Sequence, residues 1–389
     1  MVRIREQFLP FSAPLLGQAE AEGVLECLRS GWLTTGAQVL KLEQDFAAYV
    51  GCRHALAVSS CTAALHLALE AVGVRAGAEV ITSPMTFAST AAVVEHLGAR
   101  PVFVDCEPGT LNLDVSRVEE RITGKTKAIL PVHFAGQACD MDPLLELARG
   151  RRLAVVEDAA HALPTRYRAR LVGTIGDLTC FSFYATKSMT TGEGGMVATE
   201  HDPYAERIAL MRLHGMSRDA WKRYAEGGSW SYEIRAAGFK YNLSDVAAAI
   251  GIPQLQSCGR FHQRRREIAR RYTESLGALE GVGVPSVEDE SAHAWHLYVI
   301  QLDLARLRIG RDEFIREMTA RKIGVSVHFM PLHLQPYYRD RYGYRPDDFP
   351  NAWGAFQKIV SLPIYAGMSD RDVTDVIAAV QDVVATHRR

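Results

Sequence analysis

The seven cysteines (Cys27, Cys52, Cys61, Cys106, Cys139, Cys180 and Cys258) include no Cys-X-X-Cys pair. Their odd number and scattered spacing argue against a disulfide framework and a zinc site, and no metal is expected. They fit reduced, buried thiols in a cytoplasmic protein. An excess of one charge is also missing. The 44 Lys and Arg residues face 45 Asp and Glu, for a formal net charge of -1. That excludes a generic polyanion-binding surface, so no nucleic acid partner is expected, while a local phosphate site stays open. No apolar run is long enough to span a bilayer, and the opening residues lead into no apolar signal core, so no membrane association is expected. Internal repeats, low-complexity segments and long flexible linkers are absent as well.

What is present is an ordinary globular chain of 389 residues, 48% hydrophobic and 23% charged. It is too long for one simple core and suits two or three packed units. Residues 17–30 and 37–50 read as amphipathic helices separated by a loop, residues 31–36. Strand and helix patterns then alternate. Strands are predicted at 54–59, 79–82, 101–105, 127–132 and 153–158, with helices at 62–73 and 86–97. The continuous apolar runs fit buried parallel strands, and the alternation predicts a doubly wound α/β domain. Beyond residue 240 the pattern changes to a long helix (244–257, continuing to 276), a strand at 296–302, a helix at 311–322, a strand at 325–329 and a last helix at 369–386. This α+β tail places a domain boundary near 250, giving a large domain of residues 1–250 and a small one of residues 251–389.

One lysine stands out. Lys187 ends the mostly apolar run Phe181-Ser182-Phe183-Tyr184-Ala185-Thr186 and precedes Thr190-Thr191-Gly192-Glu193-Gly194-Gly195. An amine held in apolar surroundings has a lowered pKa, which makes it a nucleophile and proton carrier suited to a Schiff base. Taken alone, it reads equally well as a surface lysine closing a strand. Asp158 ends another predicted strand, where ligands of open α/β sheets collect, and could face a ligand cation or cap the next helix. The run 59–65 lies between a strand and a helix, where N–H groups and hydroxyls form a phosphate cup or an ordinary N-cap. Ser182 could add a hydroxyl. Phe87, at the next strand-to-helix turn, could stack on a flat ring or fill core. Together these residues supply a phosphate cup, a stacking ring, a partner for a pyridine nitrogen and a Schiff-base lysine, in chain order.

With these stretches the chain resembles the DegT/StrS-type nucleotide-sugar aminotransferases. Further matching motifs are Ser30-Gly31-Trp32-Leu33-Thr34-Thr35-Gly36, Pro131-Val132-His133-Phe134-Ala135-Gly136, Glu157-Asp158-Ala159-Ala160-His161-Ala162, Gly238-Phe239-Lys240-Tyr241-Asn242-Leu243-Ser244-Asp245 and His293-Ala294-Trp295-His296-Leu297. The match covers nearly the whole chain. It looks closest to members that aminate C-4 of a keto nucleotide sugar on the way to 4-amino-4-deoxy-L-arabinose or pseudaminic acid. The resemblance implies the type I aminotransferase fold and pyridoxal 5'-phosphate as cofactor. Lys187 would then form the Schiff base and carry the proton. Asp158 would pair with the pyridine nitrogen, Phe87 would stack on the ring, and His161 would lie beside it. Thr62, Ala63 and Ser182 would hold the phosphate. Asn242 would reach the phosphate of a partner subunit, making a homodimer with shared sites. His328 is a substrate-side candidate. The implied substrates are a nucleotide-linked keto-sugar and an amino-acid donor, glutamate. The chain departs from many relatives in carrying His161 where they have glutamine, and Phe239-Lys240-Tyr241-Asn242 where they read Tyr-Asn-Tyr-Arg.

Three alternatives differ from this reading in what they require of the chain. A sugar 3-dehydratase of this fold would have histidine in place of Lys187. An enzyme acting only on amino acids would not turn over a keto nucleotide sugar. A non-catalytic regulator would lack the lysine or carry a DNA-binding unit. Amination at C-3 differs from the C-4 reading only in regiochemistry. Sugar specificity is expected in loops 31–36, 215–235 and 328–345, with Arg218, Lys222, Arg223 and Arg235 as positive charges that could meet a diphosphate or be solvated surface.

Overall fold

A computed structural model of the chain describes residues 5–216, 232–287, 289 and 292–389. Two helices open it, α1 (Gln18–Ser30) and α2 (Ala37–Val50). Strands and helices then alternate: β1 (His54–Val58), α3 (Cys61–Ala71), β2 (Glu79–Thr82), α4 (Ala88–His96), β3 (Arg100–Phe103), β4 (Thr126–Leu130), α5 (Met141–Arg151) and β5 (Ala154–Asp158). A two-residue ladder, β6 (Arg166–Tyr167) with β7 (Arg170–Leu171), precedes β8 (Leu178–Ser182), β9 (Gly195–Thr199) and α6 (Asp202–Met211).

Seven strands form one sheet in the order β1-β9-β8-β5-β4-β2-β3. The run from β3 to β8 is parallel, and β9 is antiparallel to both its neighbours. The sheet is therefore mostly parallel, as the alternating sequence predicts. Period-two alternation sends Val58, Leu130, Val156 and Cys180 to one face, with α3 and α6. Ala57, Phe181, Met196 and Ala198 go to the other, with α2 and the following long helix. Ile81, Ile129 and Val155 share that second face with α5. Helices cover both faces, which is why the strands read as continuous apolar runs.

The long helix α7 (Asp245–Leu276) spans 32 residues, and its two ends belong to different cores. Ala248, Ile252 and Leu255 pack under the large sheet. Ile268, Ala269, Tyr272 and Leu276 enter a second core. That core is built on a three-stranded antiparallel sheet of β10 (Val282–Gly283), β11 (Tyr298–Leu302) and β12 (Ile359–Leu362). Into it pack α8 (Arg311–Ala320) and α11 (Asp370–His387), while the short helices α9 (Pro336–Tyr342) and α10 (Pro350–Phe356) join Phe103, Leu297 and Val299 in a neighbouring cluster.

One predicted element is corrected. Residues 325–329 are not a strand; only Ser326 bridges to Ser361. Consecutive strand residues point to opposite faces, whereas His328 and Phe329 both line one cavity. Their shared direction needs irregular backbone.

Candidate active site

A cavity of about 480 Å³ opens where the large sheet meets the second unit. The large unit contributes Asp158 and Ser182 from the ends of β5 and β8, the first residues of α3, and the loop carrying Lys187. The second unit contributes His296, His328, Phe329 and Ile364.

Lys187 lies five residues beyond the last residue of β8, in a turn where its N–H donates to the Tyr184 carbonyl at 2.9 Å. It is half-buried and lines the cavity. Burial lowers its pKa from 10.5 to about 8, against the opposing pull of Cys61 and Asp158. The amine is thus a usable base near neutral pH.

Asp158 is almost fully buried and lines the same cavity. Burial raises its pKa from the ordinary aspartate value, opposed by the hydrogen bond from Thr90 and by the N–H of Ala160. Thr90 Oγ1 donates to Asp158 Oδ2 at 2.8 Å, and the Ala160 N–H donates to Oδ1 at 3.1 Å. Thr86 lies one helical turn before Thr90 and shares a 2.7 Å hydroxyl contact with it. Behind Asp158, the buried Glu157 accepts from His133 Nε2, Thr179 Oγ1 and the Gly176 N–H at 2.8, 2.6 and 2.8 Å. Burial alone would raise the Glu157 carboxyl, but these donors outweigh it and hold it low.

The N-terminus of α3 faces the cavity through Ser60, Cys61 and Thr62. The first N–H groups of a helix lack intrahelical acceptors. That of Ala63 is satisfied by the N-cap Ser60 Oγ at 3.1 Å, and Ala63 itself packs into the core. Phe87 is 61% exposed at the mouth, which rules out the core-filling reading; it touches Phe329, with ring centroids 6.2 Å apart. His161 stacks on Phe329 at 5.9 Å and meets His296 at 4.4 Å with the rings tilted by 40°. Burial pushes both histidines well below their usual pKa, and Nδ1 of each has no partner among the described residues. His328 is bonded to Ser361 Oγ at 2.9 Å and pushed down to about 4 by burial and the Lys187 charge.

Thr62, Phe87, Asp158, His161, Ser182, Lys187 and His328 are therefore gathered in one cavity. Ala63, packed into the core, is not among its lining residues, and neither is Asn242. Its amide donates to Thr35 Oγ1 at 2.7 Å, and its carbonyl oxygen accepts from Lys240. Arg235 is exposed and paired with Glu233 at 3.1 Å. Arg218, Lys222 and Arg223 lie outside the described residues. Sequence reasoning missed Thr90, although its i,i+4 spacing from Thr86 was readable. His296 was visible only as part of a motif. Phe11 and Ser12, at the opposite end of the chain, gave no signal.

The donor set fits pyridoxal phosphate. It offers an amine for the aldehyde, a buried carboxylate for a cationic ring nitrogen, a helix N-terminus with hydroxyls for the phosphate, and an open aromatic face. His161 adds an unpartnered ring nitrogen. Among the described residues no cluster of three or more His, Cys, Asp or Glu could hold a metal ion, and no helix is long and apolar enough to cross a membrane.

Comparison with known proteins agrees with this geometry. The sequence model of the DegT/DnrJ/EryC1/StrS aminotransferase family matches residues 14–381. The spore coat polysaccharide biosynthesis protein SpsC of Bacillus subtilis is 50% identical over 385 residues, covering 99% of each chain. Spr1654 from Streptococcus pneumoniae, solved in its PMP form, superposes with a TM-score of 0.91 at 32% identity, covering 97% of this chain and 99% of that one; it is also known in a PLP form. DesI, solved in the presence of its TDP-sugar product, superposes with a TM-score of 0.87 at 30% identity, covering 99% of this chain and 94% of that one. The chain belongs to the DegT/DnrJ/EryC1/StrS aminotransferase family; it is a pyridoxal-phosphate-dependent sugar aminotransferase with the type I fold.

Proposed function

We propose that this aminotransferase moves nitrogen from L-glutamate to C-4 of a keto-sugar carried on a nucleoside diphosphate. The observation that carries this reading is the pairing of a pKa-lowered Lys187 with a buried Asp158 across one cavity. The TDP-sugar product of DesI supports a nucleotide-linked substrate. The role of SpsC in making spore coat polysaccharide supports a place in surface-polysaccharide synthesis.

Pyridoxal phosphate, when bound, supplies an electron sink for the bonds at the reacting carbon. Lys187 would anchor it, Asp158 would pair with the ring nitrogen, and Phe87 would offer its exposed face to the ring, with His161 beside it. Thr62 and Ser182 would hold its phosphate at the N-terminus of α3, whose first turn includes Ala63. Lys187 Nζ accepts the α-proton of the amino acid in the first half-reaction and returns a proton to the sugar carbon in the second. His328, held by Ser361, stands on the substrate side. Asn242, absent from the lining of its own cavity, serves the phosphate of a partner subunit, so the working unit is a homodimer. The buried free cysteines support a reducing, cytoplasmic setting.

The test is a mass-spectrometric screen of keto nucleotide sugars with L-glutamate, followed by NMR of the aminated product. New nitrogen at C-4 is expected; nitrogen at C-3 would overturn the regiochemistry. Lys187→Ala should produce no amino sugar and no glutamate-dependent absorbance change. Retained turnover in that variant would overturn the assignment of the catalytic base.

A further inference from the structure

We infer that the N-terminal arm, residues 5–16, forms the acceptor-sugar wall of the cavity, with Phe11 and Ser12 as specificity-determining contacts. The inference rests on the reading that the second substrate is a nucleotide-linked sugar. Phe11 and Ser12 line the same cavity as Lys187, although they lie near the start of the chain and Lys187 near its middle. The Phe11 ring sits 5.3 Å from that of His328, centroid to centroid. Ser12 Oγ has no hydrogen-bond partner among the described residues. An apolar ring face beside an uncommitted hydroxyl is the chemistry that receives a sugar: C–H groups pack on the ring and a sugar hydroxyl meets the serine.

The arm is held in place on both sides of this pair. Leu9 is buried in the second core. Its N–H donates to the Lys322 carbonyl at 2.9 Å, and its own carbonyl accepts from the Gly324 N–H at 2.8 Å. Arg5 is paired with Asp372 at 2.6 Å and Asp375 at 2.5 Å. After Ser12, the Leu15 carbonyl accepts from Gln254 Nε2 on α7 at 2.9 Å. The arm approaches Gly324 so closely that a Cβ there would stand 2.9 Å from the Phe11 nitrogen, 3.0 Å from the Phe8 ring and 3.1 Å from the Leu9 oxygen. Two contacts are with backbone, so the arm would have to move.

Two variants test this, one that removes the Phe11 ring and one, Gly324→Ala, that leaves every cavity side chain in place. The two half-reactions are followed separately, the first by the absorbance change on adding L-glutamate, the second with TDP-4-keto-6-deoxyglucose and its UDP-linked analogue. Phe11→Ala is expected to raise the acceptor KM about tenfold, as loss of an aromatic contact and its apolar burial predicts, while changing the glutamate half-reaction less than twofold. Gly324→Ala should raise the acceptor KM in the same direction by displacing the arm. Melting temperatures show whether each variant is folded, and either variant suffices alone. An unchanged acceptor KM in both, or equal slowing of both half-reactions, overturns the inference. A wild-type enzyme that completes the glutamate half-reaction but aminates neither sugar overturns the acceptor reading above, and this inference with it.

Discussion

An exposed amine is almost wholly protonated at neutral pH, and burial of Lys187 changes that by bringing its pKa to about 8. Competitive acylation of the cofactor-free protein should modify Lys187 with a midpoint near pH 8, against about 10.4 for an ordinary lysine. A midpoint near the ordinary value would remove the argument for a pre-lowered base. The linkage has a definite sign. Between about 8 and 10.5 the unfolded chain binds more protons at this site than the folded one, so the site's contribution to stability rises with pH across that window. Asp158 offers a second residue-level test through Thr90, whose hydroxyl donates to it. Thr90→Val removes a hydrogen bond to a charged group, worth about 1.5–3 kcal/mol, and turnover should fall roughly tenfold or more. Thr90→Ser should restore most of it; a valine variant with full turnover would show that the bond does not orient the carboxylate. Lys187 and Asp158 were legible in the sequence because each sits in a contiguous motif. The Thr90–Asp158 bond was not, because it joins α4 to the end of β5 across 68 residues.

At the scale of elements, the sequence announces the alternation of strands and helices but not how one end of β9 meets α3. Gly192, Gly194 and Gly195 read as one glycine-rich loop, yet only Gly192 has a left-handed backbone, at φ +80°. Gly195 begins β9, and a Cβ there would lie 2.6 Å from the Ser60 carbonyl carbon and 2.8 Å from the Cys61 nitrogen. The glycine is required by that close approach, which holds the start of α3 against the strand beside the lysine loop. Gly195→Ala must push the α3 N-terminus outward. The expected cost is about 1–3 kcal/mol of stability, together with faster loss of cofactor on dialysis; a variant with unchanged melting and cofactor retention would mean that the loop yields freely. Residues 325–329 failed as a predicted strand for a related reason. Their apolar β-branched pattern is real, but His328 and Phe329 are spent on lining the cavity rather than on extending a ladder. Local pattern reports propensity, and the demands of a cavity between two units override it.

At the scale of the whole molecule, the cavity exists because two cores share α7 and the N-terminal arm straps across them. Asp245, at the start of α7, shows how the outer edge is locked. Its buried carboxylate accepts from the N–H groups of Gly36, Gln38 and Val39 at 2.8, 3.2 and 3.0 Å, capping α2. Thr35 Oγ1 donates to the Leu243 carbonyl at 2.5 Å and accepts from Asn242. Loop 31–36 and the segment carrying Asn242 therefore form one rigid corner, fixed before any partner arrives. A corner that holds Asn242 outside the lining of its own cavity is useful if a second copy reads it. That proposal predicts complementation between two defective chains. Lys187→Ala removes the lysine of its own cavity, and Asn242→Ala removes the phosphate contact offered to the neighbour. In a mixed dimer one cavity carries both defects and the other carries neither. Random reassembly makes half the dimers mixed, so about a quarter of wild-type turnover should return from two preparations that are each impaired. The assay is run at limiting pyridoxal phosphate, where loss of a phosphate contact is felt most. Activity that never exceeds the average of the two separate preparations would mean that each chain completes its own site and that Asn242 only ties down the corner.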